Sequence, residues 1–318
     1  MLSLKRLLNI LFVAAAAVVT ALVARHFAHN GWPLRHANFW LVGLAAVILL
    51  AAYAAKAWGW QHLFRNGERP AVLTLAAAGG AASVGGIALP GRCDEVIRVA
   101  VVRRCRRKRA TVGAVALSLF LLGLLDSAAL TPLASVALGV AHVGGWMQAG
   151  LIVVAVAGVA AAGVVLALPR LAKLRFFTRF RLARWIGDNA TPPREAVWAW
   201  VGVAMSWVLR ALAIFVLLAA LGLGADFALA LAFVCASSAS AVLPIAPAGA
   251  AVQAGAGAAI LVASGMHTED AVAFGIAAQA LLMAAGFAFV LALAGWHAQG
   301  RVQQFAVAGQ LRRTRTLG

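Results

Sequence analysis

SVGGIALPGRCDEVIRVAVVRR, residues 83–104, decides the fold, because it puts a Leu-Pro-Gly break and six charged side chains inside an otherwise apolar region. Proline removes a helix donor and disfavours helix at the residue before it, so Leu89-Pro90-Gly91 is a true turn. Arg92, Asp94, Glu95 and Arg98 follow within two helical turns. The apolar stretch on either side of the break is too short to cross a bilayer alone, and too hydrophobic for a surface loop.

The rest of the chain explains where such a segment can exist. Of 318 residues, 64% are hydrophobic and only 11% charged, with a mean hydropathy of +0.94. That composition excludes an ordinary soluble domain and identifies an all-α integral membrane protein. Nearly uncharged runs reach the roughly 20 residues that a helix needs to cross a hydrocarbon core of about 30 Å. They place six full spans at about 7–24, 38–58, 111–137, 147–169, 196–221 and 270–296. Strands of alternating polarity are lacking, which excludes an outer-membrane barrel. The run Leu7–Ala24 follows Lys5 and Arg6 like a signal peptide, but it exceeds the usual apolar length of such a peptide and is read as a retained first helix.

The formal charge of +18 arises from 27 Lys and Arg against nine acids. In a soluble protein it would suggest nucleic acid; here the bases lie in loops between spans, so no nucleic-acid partner is expected. They set topology and contact anionic lipids at the cytoplasmic face. Six lie in Arg103–Arg109, seven in Arg170–Arg194 and four from Arg301 onward, whereas the connections at 138–146, 222–226 and 265–270 have none. The basic segments are therefore assigned to the cytoplasm of a cell inner membrane, and both termini with them.

On that assignment residues 226–264 begin and end outside, and residues 70–104 begin and end in the cytoplasm. Each region holds two short apolar pieces broken at Leu-Pro, the second at Leu243-Pro244-Ile245-Ala246-Pro247-Ala248-Gly249. Two opposed re-entrant helical hairpins follow. A shift of 154 residues places Pro90 on Pro244 and Lys56 on Arg210, and the order span, hairpin, span occurs twice in opposite orientation. The pattern is that of an inverted repeat within one membrane domain: a first half at about 38–137, a second at about 196–296, and a basic connector at about 170–195. In transporters such repeats place the binding site at their interface near the midplane.

Non-helical backbone at membrane depth needs protein or a polar cavity around it. The two breaks thus predict a polar cavity between the hairpin tips, where the first N–H groups of each new helix are unpaired. The candidate binding residues are Pro90, Arg92, Asp94, Glu95 and Arg98 in the first hairpin and Pro244, Pro247, Gly249 and Gln253 in the second. Asp94 and Glu95 stand at i,i+4 and i,i+3 to Arg98, so they either neutralise it as a helix cap or hold it towards a phosphate. Asp126 and Arg210 lie near the middle of full spans, where charge is costly; they face the interior, as a mutual ion pair or on the substrate path. Lys56, near the end of its span, is read as snorkelling to the interface.

Three cysteines and seven histidines show no metal-ligand spacing. No nucleotide loop or catalytic motif is present, so neither a cofactor nor a metal is expected, and enzymatic activity is not. A lipid-modifying enzyme using Glu95, Asp94 or Asp126, and a non-transporting subunit of a lipid-synthesis complex, are the alternatives.

Trp60-Gln61-His62-Leu63-Phe64, Leu89-Pro90-Gly91-Arg92, Asp94-Glu95-Val96-Ile97-Arg98 and the Pro244–Gly249 segment with Gln253, together with Gly265 and Ala271–Gln279, resemble the flippase-like membrane module of lysyl-phosphatidylglycerol synthases. The similarity runs from about residue 40 onward. It implies a polytopic lipid-translocating fold, with the Arg92, Glu95 and Arg98 cluster and the proline-rich second hairpin near the lipid path. The module is expected to work without an aminoacyl-transferase domain and so not to synthesise lysyl-phosphatidylglycerol, and Cys93 and Asp94 depart from the small or apolar residues expected before the glutamate. The expected partner is a membrane lipid with a phosphate-containing head group, a phospholipid or a polyprenyl phosphate; a homo-oligomer is compatible with this reading.

Overall fold

The computed structural model describes residues 25, 29, 37–65, 67–88, 93–104, 111–140, 145–171, 185–186, 191–242 and 249–315. Among them the chain forms helices α1 (Phe39–Gln61), α2 (Val72–Ala88), α3 (Cys93–Arg104), α4 (Val112–Val140), α5 (Gly145–Leu171), α6 (Pro193–Ala220), α7 (Phe227–Val242), α8 (Gly249–Ala263) and α9 (Thr268–Arg315). No strand occurs among the described residues. Five stretches are long and apolar enough to cross a membrane: Phe39–Gln61, Val112–Gly139, Gln148–Leu168, Pro193–Ala220 and Thr268–Gln299. They match five of the six expected spans, and the protein is an all-α, multi-pass membrane protein. The span expected at 7–24 lies outside the described residues. The last helix runs past the expected end at 296 to Arg315, through a tail without proline in which Ala, Gln and Arg, all good helix formers, are the commonest residues.

Helix ends follow local chemistry. Asn38 caps α1, its side-chain oxygen accepting from the N–H groups of Trp40 and Leu41. Pro193 opens α6, where its missing donor is no loss. Asp94 and Glu95 sit in the first turn of α3 and Arg103 and Arg104 in its last, each sign at the favourable end of the dipole.

Helices α1 and α6 form an antiparallel centre. At one end the Asn38 N–H donates to the Ala220 carbonyl at 2.8 Å. At the other, Glu195 in the first turn of α6 accepts from the His62 ring at 2.7 Å and from the Arg69 guanidinium at 2.5 Å. Between the ends Gly59 faces Gly202 so closely that a Cβ on Gly59 would stand 2.7 Å from the Ala199 carbonyl oxygen. Lipid chains are as apolar as leucine, so such backbone proximity and its dispersion energy replace the hydrophobic effect as the cause of helix association. Gly80 of α2 and Gly286 of α9 make a second contact of this kind.

The short helices pack as two pairs. Ile97 of α3 fills the notch at Gly85 of α2, and Phe233 of α7 packs on Gly257 of α8. Each contact joins residues nearly equidistant from the intervening Leu-Pro break, as in a pair that folds back on itself. At 1.5 Å per residue α7 and α8 are about 24 and 22 Å long, less than a hydrocarbon core of about 30 Å. Packing partners recur in the two halves: α1 on α2 and α6 on α7, α3 on α4 and α8 on α9, α2 on α9 and α7 on α4.

Candidate functional site

The polar centre of the molecule lies where α1, α4 and α6 meet. Lys56 Nζ on α1 donates to Asp126 Oδ2 on α4 at 2.7 Å, and Trp207 Nε1 on α6 donates to Asp126 Oδ1 at 3.0 Å. Both carboxylate oxygens are thus engaged, from two different helices. The Lys56 ammonium also stands over the Trp207 ring, 5.5 Å from its centroid. These groups are mostly withdrawn from the surface, with 20% of the Lys56 and 23% of the Asp126 side chain accessible.

Arg210 lies one turn further along α6. Its guanidinium carbon is 4.9 Å from the Trp207 ring centroid and 5.6 Å from that of Tyr53 on α1. Its Nε is buried with no hydrogen-bond partner. One turn earlier Ser206 is fully buried, and its hydroxyl has no partner either. Tyr53 completes the centre: its hydroxyl is 2.9 Å from Ser83 Oγ on α2 and 3.4 Å from the Leu282 carbonyl on α9. Five helices therefore converge on one group of aromatic and charged side chains.

The expected ion pair between Asp126 and Arg210 is not formed. Asp126 is held by Lys56 and Trp207, and Lys56, expected to snorkel, turns inward to it. The physical reason is that α6 packs on both α1 and α4, which brings the Lys56 ammonium within reach of Asp126 and leaves Arg210 on the Trp207 and Tyr53 rings.

Arg98 on α3 pairs with Asp94 at 3.6 Å, one turn back, as the i,i+4 spacing requires, and lies within electrostatic reach of Lys56. Glu95 is exposed on the same helix and has an interaction partner of its own. Gly249 begins α8 and Gln253 lies one turn on, half-buried. Pro90, Arg92, Pro244 and Pro247 lie outside the described residues. An open groove of about 430 Å³ runs along α3, lined by Val96, Val99, Ala100, Arg103 and Arg104. Among the described residues no group of three or more His, Cys, Asp or Glu side chains could hold a metal ion.

Sequence reasoning missed Tyr53, Trp207 and the inward turn of Lys56. A signal for them exists: Tyr53 precedes Lys56 by three residues, Trp207 precedes Arg210 by three, and the two sets are separated by the same 154 residues that relate Pro90 to Pro244.

A family model described as the lysylphosphatidylglycerol synthase TM region matches residues 6–294. The chain belongs to this family. The match spans both short-helix pairs and the whole polar centre, and it makes the chain a membrane protein of lipid metabolism or transport. Comparison with curated proteins and with solved structures returned no match.

Proposed function

We propose that the protein moves a phospholipid or polyprenyl-phosphate head group across the cell inner membrane, through a polar path between two re-entrant hairpins, while the acyl chains stay in the bilayer. The observation that carries this reading is the group formed by Lys56, Asp126, Trp207 and Arg210 at mid-span, with Arg98 in electrostatic reach. Charges inside a membrane are expensive and serve as substrate or ion paths when they are retained. A head group crossing the same region faces the same cost, and cationic and hydroxyl donors there offset it.

Three further features support the path. The antiparallel α1/α6 contact and the matched packing of the two halves suit an inverted repeat, whose interface is the customary site of alternating access. The α3 groove combines valines with Arg103 and Arg104, a lining fit for an acyl chain and a phosphate at the membrane surface. Arg92 and Arg98 would hold the phosphate on the cytoplasmic side, oriented by Asp94 and Glu95, with Gln253 and the start of α8 receiving the head group on the other. Movement in this reading is non-enzymatic, the termini are cytoplasmic, and the basic loops rest on anionic lipids.

The test is reconstitution in liposomes carrying head-group-labelled lipids. Transfer of label between leaflets that depends on the protein is expected. A chemically altered lipid product in place of transfer would favour an embedded enzyme, and neither result would leave a scaffold subunit.

A further inference from the structure

We infer that Arg210 is the interior ligand of a phosphate-type oxyanion, so that the polar centre selects lipids with an anionic head group. The inference rests on the transport reading above and names the class of substrate it takes.

A guanidinium does not lose its proton in a protein, so Arg210 is a permanent cation on a membrane-spanning helix. Asp126 is the sole acid in the interior of a full span, and Lys56 and Trp207 already occupy its two oxygens. Arg98 has Asp94. Among the described residues Arg210 has neither a carboxylate nor a hydrogen-bond acceptor, and its buried Nε is unpartnered.

The Tyr53 and Trp207 rings hold the guanidinium without neutralising it. A cation–π contact attracts the charge to the ring face but supplies no formal negative charge, whereas an arginine at the centre of a span is costly without one. Two such contacts steady the cation and leave its field open. The unpartnered Ser206 hydroxyl, fully buried one turn away on the same face of α6, adds a second donor in want of an acceptor.

A single phosphate-type anion answers all of these observations. It supplies the missing negative charge, and its oxygens match the planar guanidinium fork, which favours Arg over Lys at this position. A zwitterionic head group would bring an ammonium into a place where Lys56 and Arg210 already stand. The anion can belong to a lipid phosphodiester or be free phosphate, and the chemistry recognised is the same.

The experiment is native mass spectrometry of the full chain released from nanodiscs of phosphatidylcholine with a minority of phosphatidylglycerol, comparing wild type with Arg210→Gln. The expected result is retention of phosphatidylglycerol by wild type and retention about tenfold weaker in the variant, the scale of one charge-assisted contact. Thermal stability should be unchanged or higher, because an uncompensated charge on a membrane-spanning helix has gone. Displacement of the bound lipid by inorganic phosphate would assign the site to free phosphate; persistence in its presence would assign it to the lipid. Equal phosphatidylglycerol retention by Arg210→Gln overturns the inference. Should Arg210→Gln fail to fold, Arg210→Lys is read in its place: reduced retention supports the site, and unchanged retention overturns it. If wild-type liposomes show no lipid transfer yet Arg210→Gln loses the bound lipid, the transport reading falls and the anion site stands. If transfer is seen and Arg210→Gln keeps both lipid and transfer, the anion site alone falls.

Discussion

Lys56 Nζ and Asp126 Oδ2 meet at 2.7 Å across α1 and α4, seventy positions apart in sequence. The pair joins the helix that forms the molecule's centre to the helix that closes its first half. Asp126 also takes the Trp207 N–H from α6, so one carboxylate fixes three helices.

The first prediction concerns that carboxylate. Asp126→Asn leaves the Lys56 ammonium without a counter-charge and weakens the acceptor for Trp207. Removing one member of a buried pair costs about 3–5 kcal/mol; with a fifth of each side chain still accessible, about 2–4 kcal/mol is expected. Replacing both, Lys56→Met with Asp126→Leu, should recover most of the stability, because the unpaired charge disappears along with its partner. Thermal unfolding in detergent of Asp126→Asn, the double variant and wild type gives the comparison. Equal stability of Asp126→Asn and wild type would show that the pair does not hold the helices.

The second concerns the close approach of α1 and α6. A side chain at Gly59 would meet backbone atoms of Ala199, Gly202 and Val203 within about 3.2 Å, and backbone cannot move aside as a flexible side chain does. Gly59→Leu should therefore part α1 from α6 and cost about 1–3 kcal/mol or more. Gly43→Ala on the same helix, with nothing within 4 Å of its added Cβ, should be neutral. The melting temperatures of the two variants in detergent should differ by several degrees, and a stable Gly59→Leu protein would refute the packing argument.

The third concerns topology. The second short-helix pair is expected to enter and leave by the outer face, so Ala225→Cys before α7 and His267→Cys after α8 should both react with an impermeant maleimide from outside, in a background lacking the native cysteines. Both positions are exposed, and they avoid Gly224 and Gly265, whose φ values of 92° and 95° disfavour any side chain. Labelling of one and not the other would remove the re-entrant pair and the inverted repeat with it.

Much of this architecture was legible because its signals are local. Apolar length gave the five described spans, and the two Leu-Pro breaks gave α2, α3, α7 and α8, since a proline acts on its own neighbourhood. The charged centre was legible only in part. Asp126 and Arg210 stood out as charges in apolar runs, and burial followed from the cost of exposing them to lipid. Their partners did not follow, because pairing depends on the rotation of each helix about its axis, which the Gly59–Gly202 contact sets and no residue near Asp126 announces. Lys56 misled for a related reason: its long stem near a helix end fits snorkelling equally well until a carboxylate is brought within reach. Trp207 looked like one more apolar residue, and only its spacing from Arg210, echoed by Tyr53 and Lys56, marked it.

The last prediction separates structure from transport at Arg98. Its contact with Asp94 is 3.6 Å long, with 29% of the Arg98 and 35% of the Asp94 side chain accessible. Such a pair contributes about 0–1 kcal/mol, so Arg98→Ala should fold and melt like wild type. Were the arginine only a helix cap, nothing else would change. As a phosphate ligand on the cytoplasmic side of the path, its loss should slow lipid transfer about tenfold or more, the scale of one charge-assisted contact. Arg98→Lys keeps the charge without the bidentate fork and should fall between the two. Asp94→Asn, which frees the guanidinium, should retain transfer. The measurement is the initial rate of leaflet exchange in liposomes at matched protein incorporation. A wild-type rate in Arg98→Ala would reduce the Asp94–Arg98 pair to a helix cap and move the entrance of the path elsewhere.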